Sequence, residues 1–196
     1  MRRRISEIVD VRAGYPFRGR VTPDPGGNAR VVQIRDLDPA GQVRIDQLVR
    51  VKAANLDSYR LRQGDVLFLS RGERRFAIPI PEESEDIIAA SYFFVLRPGR
   101  DILPAYLIWA INQPDFQEAM RAFVKGGIQP QITKTDLLDV PIEIPTLVTQ
   151  KRIVVIHELM ERERLLAEEL NQKRSALLRA IAGSEAGTHP TKRESS

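Results

Sequence analysis

The sequence predicts an α+β fold, in which a mixed-sheet domain is followed by one long C-terminal helix that forms a coiled coil with a partner. Short β-branched segments separated by Gly and Pro occupy most of the first half of the chain. Apolar residues at helical spacing follow from Pro104. Between Thr149 and Ala182 the chain contains neither Gly nor Pro. We therefore expect a domain over 1–146, a helix over 147–183 and a disordered polar tail over 184–196.

Extended structure is expected at five places, after a loop over 12–28 that is rich in Gly, Pro and Arg. In chain order, the five segments are 30–35, 43–51, 66–69, 76–80 and 87–96. Segment 66–69 is continuously apolar, which is typical of a buried strand. Segment 43–51 alternates less regularly and is the weaker strand, whereas 87–96 is the longest and has aromatic residues near its centre.

Two shorter helices are expected after the strands. Pro104 stands where the first turn of a helix tolerates proline, and the dense apolar run at 107–111 indicates a mostly buried helix. A second helix restarts at Pro114, with apolar residues at spacings of four and three, and ends at Gly126. The segment 141–145 then closes the domain in extended form.

The long helix carries a heptad seam. Spacings of four and three alternate through Ile156, Met160, Glu163, Ala167, Leu170, Arg174, Leu177 and Ile181. Roughly 34 residues at about 1.5 Å each make a rod of about 50 Å, which its own domain cannot cover along its whole length. A partner helix is therefore expected against the apolar seam residues, which are Ile156, Met160, Ala167, Leu170, Leu177 and Ile181. The alternative is a helix that lies back across its own domain.

The composition argues against several classes of function. The chain has no cysteine, which excludes disulfides, Cys-ligated zinc and thiol nucleophiles. No apolar run approaches the roughly 18 residues that span a bilayer, and Glu7 and Asp10 interrupt the place of a signal peptide, so a soluble cytoplasmic protein is expected. There is no P-loop and no acidic-x-Lys pair of the kind found in nuclease sites, and His157 and His189 form no zinc motif. We expect no catalytic residue, no metal site and no cofactor.

Basic residues are clustered, as is typical of a protein that binds a polyanion. The net charge is +4 and the isoelectric point is about 9.6, but arginines crowd the N-terminal arm and a mid-chain loop. A solvated surface is the alternative explanation of these charges.

Four segments combine basic and amide side chains that suit nucleic acid. Arginine pairs with guanine edges and glutamine with adenine edges, while arginine and lysine also hold phosphates. The candidate residues are Tyr15, Arg18 and Arg20 in a loop; Gln33 and Arg35 on a predicted strand; Ser70, Arg71, Arg74 and Arg75 after a buried strand; and Lys125, Gln129, Gln131 and Lys134 beside two glycines. Each segment alone could be an ordinary surface loop, so the hypothesis rests on the four together.

The order of several short motifs resembles the specificity subunits of type I restriction-modification systems, over about residues 5–182. The first motifs are Ile5–Ile8, Gly14–Phe17, Val32–Leu37, Leu61-x-x-Gly64–Phe68 with Arg71-Gly72, Leu103–Leu107 and Ile111-Asn112. The most specific is an ordered block that runs straight into the long helix: Gln131-Ile132, Leu137-Leu138, Val140–Ile142, Ile144-Pro145, Gln150 and Ile153-Val154.

The resemblance implies a non-catalytic DNA-recognition subunit of a phage-defence system, with a target-recognition domain over 1–146 and a spacer and dimerisation helix over 147–183. In this family a full-length subunit has two such domains and two spacer helices in a pseudo-twofold arrangement. It reads a bipartite site on double-stranded DNA and docks DNA methyltransferase (modification) subunits, while a separate restriction or motor subunit cuts.

The chain resembles half of that arrangement, so a homodimer paired through the seam would restore it and favour a symmetric bipartite site. Pairing with another half-subunit, the presence of a motor subunit and a truncated remnant stay open. A non-enzymatic scaffold that binds another protein through the long helix is the rival function. A minimal nuclease is disfavoured because the acids are scattered over loops and the long helix.

Overall fold

The computed structural model describes residues 1–38, 40–71, 75–80, 86–123 and 131–186, with side chains described as far as Ala182. It contains two compact units, Met1–Val154 and Val155–Ser196. The strands are β1 (Arg2–Arg4), β2 (Val9–Ala13), β3 (Ala29–Val32), β4 (Val49–Val51), β5 (Val66–Leu69), β6 (Ala77–Pro79), β7 (Ile87–Ala89), β8 (Phe93–Pro98) and β9 (Pro141–Glu143). The α-helices are α1 (Pro104–Asn112), α2 (Pro114–Arg121), α3 (Lys134–Asp139) and α4 (Leu147–Ala186).

The described strands form three sheets in the first unit. A four-stranded antiparallel sheet has the order β2-β8-β5-β6, and a three-stranded sheet has the order β4-β3-β7. The second of these is mixed, because β3 is antiparallel to β4 and parallel to β7. β1 and β9 pair antiparallel and join the N-terminus to the segment before α4. The α+β class and the long C-terminal helix expected from the sequence are thus confirmed.

β5 lies at the centre of this unit because both of its faces are buried. Val66 and Phe68 belong to the core shared with α1 and α2, whereas Leu67 and Leu69 belong to the core shared with β3 and β7. Alternate residues of a strand face opposite sides. The helices therefore cover one face of the four-stranded sheet and the three-stranded sheet covers the other, which is why 66–69 is apolar without interruption.

The helix junction predicted from Pro104 and Pro114 is confirmed, and the residue between the helices has a structural role. α1 ends at Asn112, whose Nδ2 donates to the carbonyl of Ala77 at 2.9 Å. Its Oδ1 accepts the Ala77 N–H, also at 2.9 Å. This reciprocal pair fastens α1 to β6. The predicted end of the second helix at Gly126 lies outside the described residues.

The prediction of a single long strand over 87–96 is wrong. The chain turns at Ala90–Tyr92, so that β7 joins the three-stranded sheet and β8 joins the four-stranded sheet. Within the turn, the N–H of Phe93 donates to the carbonyl of Ala90 at 3.0 Å. Both strands are buried in an apolar core, so the sequence shows no polar break where the chain changes sheet.

The strands predicted over 30–35 and 43–51 are too long. Gln33 ends the first one, because the carboxylate of Asp36 accepts the N–H of Gln33 at 2.8 Å and closes a 3₁₀ turn over Ile34–Asp36. Another 3₁₀ turn, Ile45–Gln47, leaves the second prediction with strand only at Val49–Val51. β1, β2 and α3 were not predicted. Each is short, and β1 is entirely arginine.

Among the described residues, no helix combines the length and the apolar character needed to cross a membrane.

Candidate nucleic-acid interface

The connection between β7 and β8, residues Ala90–Tyr92, is the point on which the predicted segments converge; we call it the β7–β8 corner. The N–H of Tyr15 donates to the carbonyl of Ala89, just before the corner, at 2.7 Å. The N–H of Ala90 donates to the carbonyl of Val32, next to Gln33, at 2.9 Å. Ser70 donates to the carbonyl of Tyr92 twice, from its main-chain N–H at 3.0 Å and from its hydroxyl at 2.8 Å.

The fourth predicted segment joins the corner through the third. The N–H of Ile132 donates to the carbonyl of Ser70 at 3.1 Å, and Arg71 forms an antiparallel β-bridge with Gln131. Main-chain hydrogen bonds therefore bring four distant parts of the chain to one place. Sequence spacing could not show this, because the segments are up to about a hundred residues apart.

Gly14 permits the close approach of the first segment. Its N–H donates to the carbonyl of Phe93 at 2.9 Å. A Cβ atom at this position would lie 2.2 Å from the carbonyl oxygen of Ala90, well inside van der Waals contact. The glycine is therefore needed for the Tyr15 loop to pack against the corner.

Three exposed side chains, Arg71, Tyr92 and Gln131, lie together at this place and are called the Arg71 cluster below. The guanidinium carbon of Arg71 lies 5.3 Å from the centroid of the Tyr92 ring. Tyr92 is 43% exposed, and Arg71 and Gln131 are exposed as well. The prediction from sequence missed Tyr92, because it lay inside what was taken as a strand; its polar neighbour Ser91 was the one local sign of a turn.

Two of the predicted residues hold the scaffold rather than face outward. Ser70 is buried and its hydroxyl is bound to the Tyr92 carbonyl. Tyr15 is half-buried, with its ring 4.7 Å from Phe17 and 5.0 Å from Tyr59, centroid to centroid. The Tyr15 hydroxyl accepts the N–H of Ala54 at 3.2 Å. Both side chains therefore fix the position of their exposed neighbours.

Gln33 and Arg35 follow the end of β3 on the 3₁₀ turn. Arg35 is exposed, and its Nε lies 3.7 Å from the carboxylate of the buried Asp36. Burial raises the pKa of Asp36, while the N–H of Gln33 and the charges of Arg35 and Arg44 act in the opposite direction. Gln33 is half-buried. Arg35 is therefore the outward-facing basic group of this segment.

The remaining predicted residues are more dispersed. Arg18 and Arg20 are exposed on the loop after Tyr15, and neither forms an ion pair within the part of the chain that the structure describes. Lys134, the first residue of α3, is exposed and lines a groove with Arg100 and other residues beyond the far end of β8. Arg75 is half-buried just before β6. Arg74, Lys125 and Gln129 lie outside the described residues.

The seam residues of α4 are all exposed. The exposed fractions are 57% for Ile156, 61% for Met160, 48% for Leu170, 62% for Leu177 and 49% for Ile181, and Ala167 is exposed as well. Ion pairs such as that of Arg164 with Glu161 and Glu168 support the helix along its polar surface. In the described part of the chain, no group of three or more His, Asp or Glu residues is placed to hold a metal ion.

Comparison with known proteins gives a family match over most of the chain. The family described as "Type I restriction modification DNA specificity domain" matches residues 1–173. Among curated proteins no match was found.

Two solved structures share the fold. The HsdS subunit from Thermoanaerobacter tengcongensis is 22% identical with a TM-score of 0.68, over 99% of this chain and 51% of that one. The S subunit of a type-I restriction-modification system from M. genitalium is 15% identical with a TM-score of 0.56, over 88% of this chain and 42% of that one. The chain thus spans about half the length of the structures it matches.

Proposed function

Since the chain belongs to the type I restriction modification DNA specificity domain family, we propose that it is a non-catalytic subunit that recognises a sequence in double-stranded DNA. The observation that carries the proposal is the convergence of four basic or amide-bearing segments on the β7–β8 corner. Loops held by a rigid scaffold are the usual place for binding residues. Here the scaffold is a pair of buried sheets, and the side chains that point outward are those that recognise base edges and phosphates.

The exposed residues at the corner divide by chemistry into two groups. Arg71, Gln131, Gln33 and Arg35 carry forked or amide groups that match guanine and adenine edges, and we assign them to base contacts. Arg18 and Arg20 are exposed cations on a loop, and we assign them to phosphates. The proposal extends to Arg74, Arg75, Lys125, Gln129 and Lys134 as further DNA-binding residues. Tyr15 and Ser70 serve it by holding the loops in place.

The proposal includes partner chains in the cytoplasm. A recognition subunit without catalytic groups needs an enzyme to act on the DNA that it selects, and the family description names restriction modification. We therefore propose that the chain docks a DNA methyltransferase subunit, and that a restriction subunit can join the same complex. The exposed seam of α4 supports a homodimer, since an apolar stripe of this length is stable in water when a second helix covers it.

The test of DNA recognition is selection from a library of random duplexes by the complex purified from its host. We expect one bipartite motif to be enriched, and binding to weaken steeply as salt rises, because neutralised phosphates release counterions. Equal affinity for all duplexes would contradict sequence recognition and leave the scaffold function as the better explanation.

A pair of charge variants tests the placement of the interface. Changing both Arg18→Gln and Arg20→Gln should weaken binding to every duplex and reduce the salt dependence by about two counterions. Arg100→Gln removes one exposed cation beyond the other end of β8, roughly 20 Å from Phe93 at about 3.3 Å per residue. Arg100 forms no ion pair within the described residues, so its substitution should leave binding nearly unchanged. A larger loss from Arg100→Gln would place the DNA on another surface.

A further inference from the structure

We propose that Tyr92 is a specificity-determining residue, whose exposed ring holds the guanidinium of Arg71 in the orientation that reads a guanine in the major groove. This inference rests on the proposed function, and it names a residue and a base that the function alone does not. It starts from one contact, the 5.3 Å between the Arg71 guanidinium carbon and the Tyr92 ring centroid.

The main chain fixes both residues independently of that contact. The carbonyl of Tyr92 accepts the N–H and the hydroxyl of Ser70, the residue before Arg71, at 3.0 and 2.8 Å. On its other side Arg71 is bridged to Gln131. The starting points of the two side chains are therefore set by backbone geometry. What the ring adds is the direction of the guanidinium, since a cation within about 6 Å of an aromatic face is attracted to it.

The arginines of this unit differ in what they have left to donate. Arg97 gives Nε and Nη2 to the carboxylate of Asp65, both at 2.7 Å. Arg50 is likewise bound, to Asp86 at 3.2 Å. Arg71 has no carboxylate partner among the described residues, and a π-face contact leaves the N–H groups at the edge of the guanidinium available. Arg71 is thus oriented by a contact that does not consume its donors.

Orientation is what separates base reading from phosphate binding. A phosphate accepts hydrogen bonds from many directions, so a mobile arginine serves it well. Guanine presents O6 and N7 side by side in the major groove, and a planar fork held at a fixed angle matches both. An exposed tyrosine that fixes an otherwise unpaired arginine is costly to keep at the surface unless the angle matters. We therefore assign guanine to Arg71.

The experiment measures, for the wild-type complex and its variants, competition between the selected duplex and duplexes changed at one position. With Arg71→Lys, preference for guanine at one position should fall by between about fivefold and about a hundredfold, because lysine cannot form the paired hydrogen bonds. With Tyr92→Leu the same position should lose about two- to fivefold of its preference, and the others should keep theirs. Tyr92→Phe keeps the ring and should behave as wild type. In an Arg71→Ala background, Tyr92→Leu should add nothing.

The variants should fold, since Tyr92 contacts Ser70 through its carbonyl and its side chain is 43% exposed. An equal weakening for all duplexes with Tyr92→Leu, or no change at any position, would overturn the assignment while sequence recognition still held. A loss with Tyr92→Phe as large as with Tyr92→Leu would also overturn it, since the hydroxyl and not the ring would be responsible. Absence of any preference in the wild-type complex would instead reject DNA reading itself, and this assignment with it.

Discussion

Gly14 lies closer to the β7–β8 corner than any side chain could, and this gives a prediction about the interface. Gly14→Ala would place a methyl group 2.2 Å from the carbonyl oxygen of Ala90. The Tyr15 loop must then move away from the corner. We expect the free energy of unfolding, measured with urea, to fall by about 1–3 kcal/mol, as for other overpacked sites. DNA affinity should fall as well, because the loop that carries Arg18 and Arg20 is displaced.

Gly26→Ala is the matched control for this substitution. A Cβ atom at Gly26 would have its nearest neighbour, an oxygen of the Asp24 carboxylate, at 3.5 Å, an ordinary contact. A change within about 0.5 kcal/mol is expected there. If the two alanine variants unfold at the same urea concentration, the packing of Gly14 against the corner is not as described.

Asp86 connects the start of β7 to two arginines and makes stability depend on pH. Its carboxylate accepts hydrogen bonds from Arg30 at 2.6 Å and from Arg50 at 3.2 Å. The hydrogen bond from Arg30 is the main reason that the pKa of Asp86 is lowered. A lowered pKa in the folded state means that the stabilisation is present above the unfolded pKa and is lost as the pH falls through the folded one.

We therefore expect Asp86→Asn to destabilise the protein at pH 7 and to match the wild type in strong acid. Charge-assisted hydrogen bonds of this kind contribute about 1–2 kcal/mol at neutral pH. The difference in urea-unfolding free energy between variant and wild type, measured across the acid range, isolates Asp86 from the other carboxylates. A difference that stays constant with pH would show that the ion pairs with Arg30 and Arg50 contribute nothing.

At the scale of the elements, the sequence predicted those whose environment is uniform. β5 is buried on both faces and α1 is buried along most of its length, so their apolar runs have one reading. The proline at the start of α1 and of α2 marked the helix boundaries because proline fits the first helical turn. The absence of Gly and Pro served equally well for α4.

The elements that failed are those in which tertiary contacts override the local pattern. β7 and β8 read as one strand because both are apolar, and the turn at Ala90–Tyr92 is made by main-chain hydrogen bonds to other segments. β1 is three arginines, and it is a strand because β9 pairs with it. The candidate site followed the same rule. The basic residues could be found from their type, whereas Tyr92 and the common corner depend on which strands meet.

At the scale of the whole molecule, the seam of α4 specifies its own pairing. Pairs of seam positions are symmetric about the point between Glu168 and Glu169: Ile156 with Ile181, Met160 with Leu177, Glu163 with Arg174, and Ala167 with Leu170. Two antiparallel copies related by a twofold axis at that point would place each residue opposite its match in the second copy. In a parallel pair the same register would set Glu163 against Glu163 and Arg174 against Arg174. The charges therefore favour the antiparallel homodimer.

Charge reversal tests this pairing with its own internal control. The wild-type chain, of 22.2 kDa, should sediment at close to twice that mass. Glu163→Arg sets two arginines together at both ends of the symmetric pairing, and Arg174→Glu sets two glutamates together; either should weaken the dimer, by about tenfold or more in dissociation constant if the groups are covered on pairing. The double variant restores opposite charges and should restore the dimer, although both single changes are present in it. A parallel dimer would respond differently, because the double variant would keep like charges opposed at both positions. A wild-type chain that stays monomeric at high concentration would assign the exposed seam to a different partner helix.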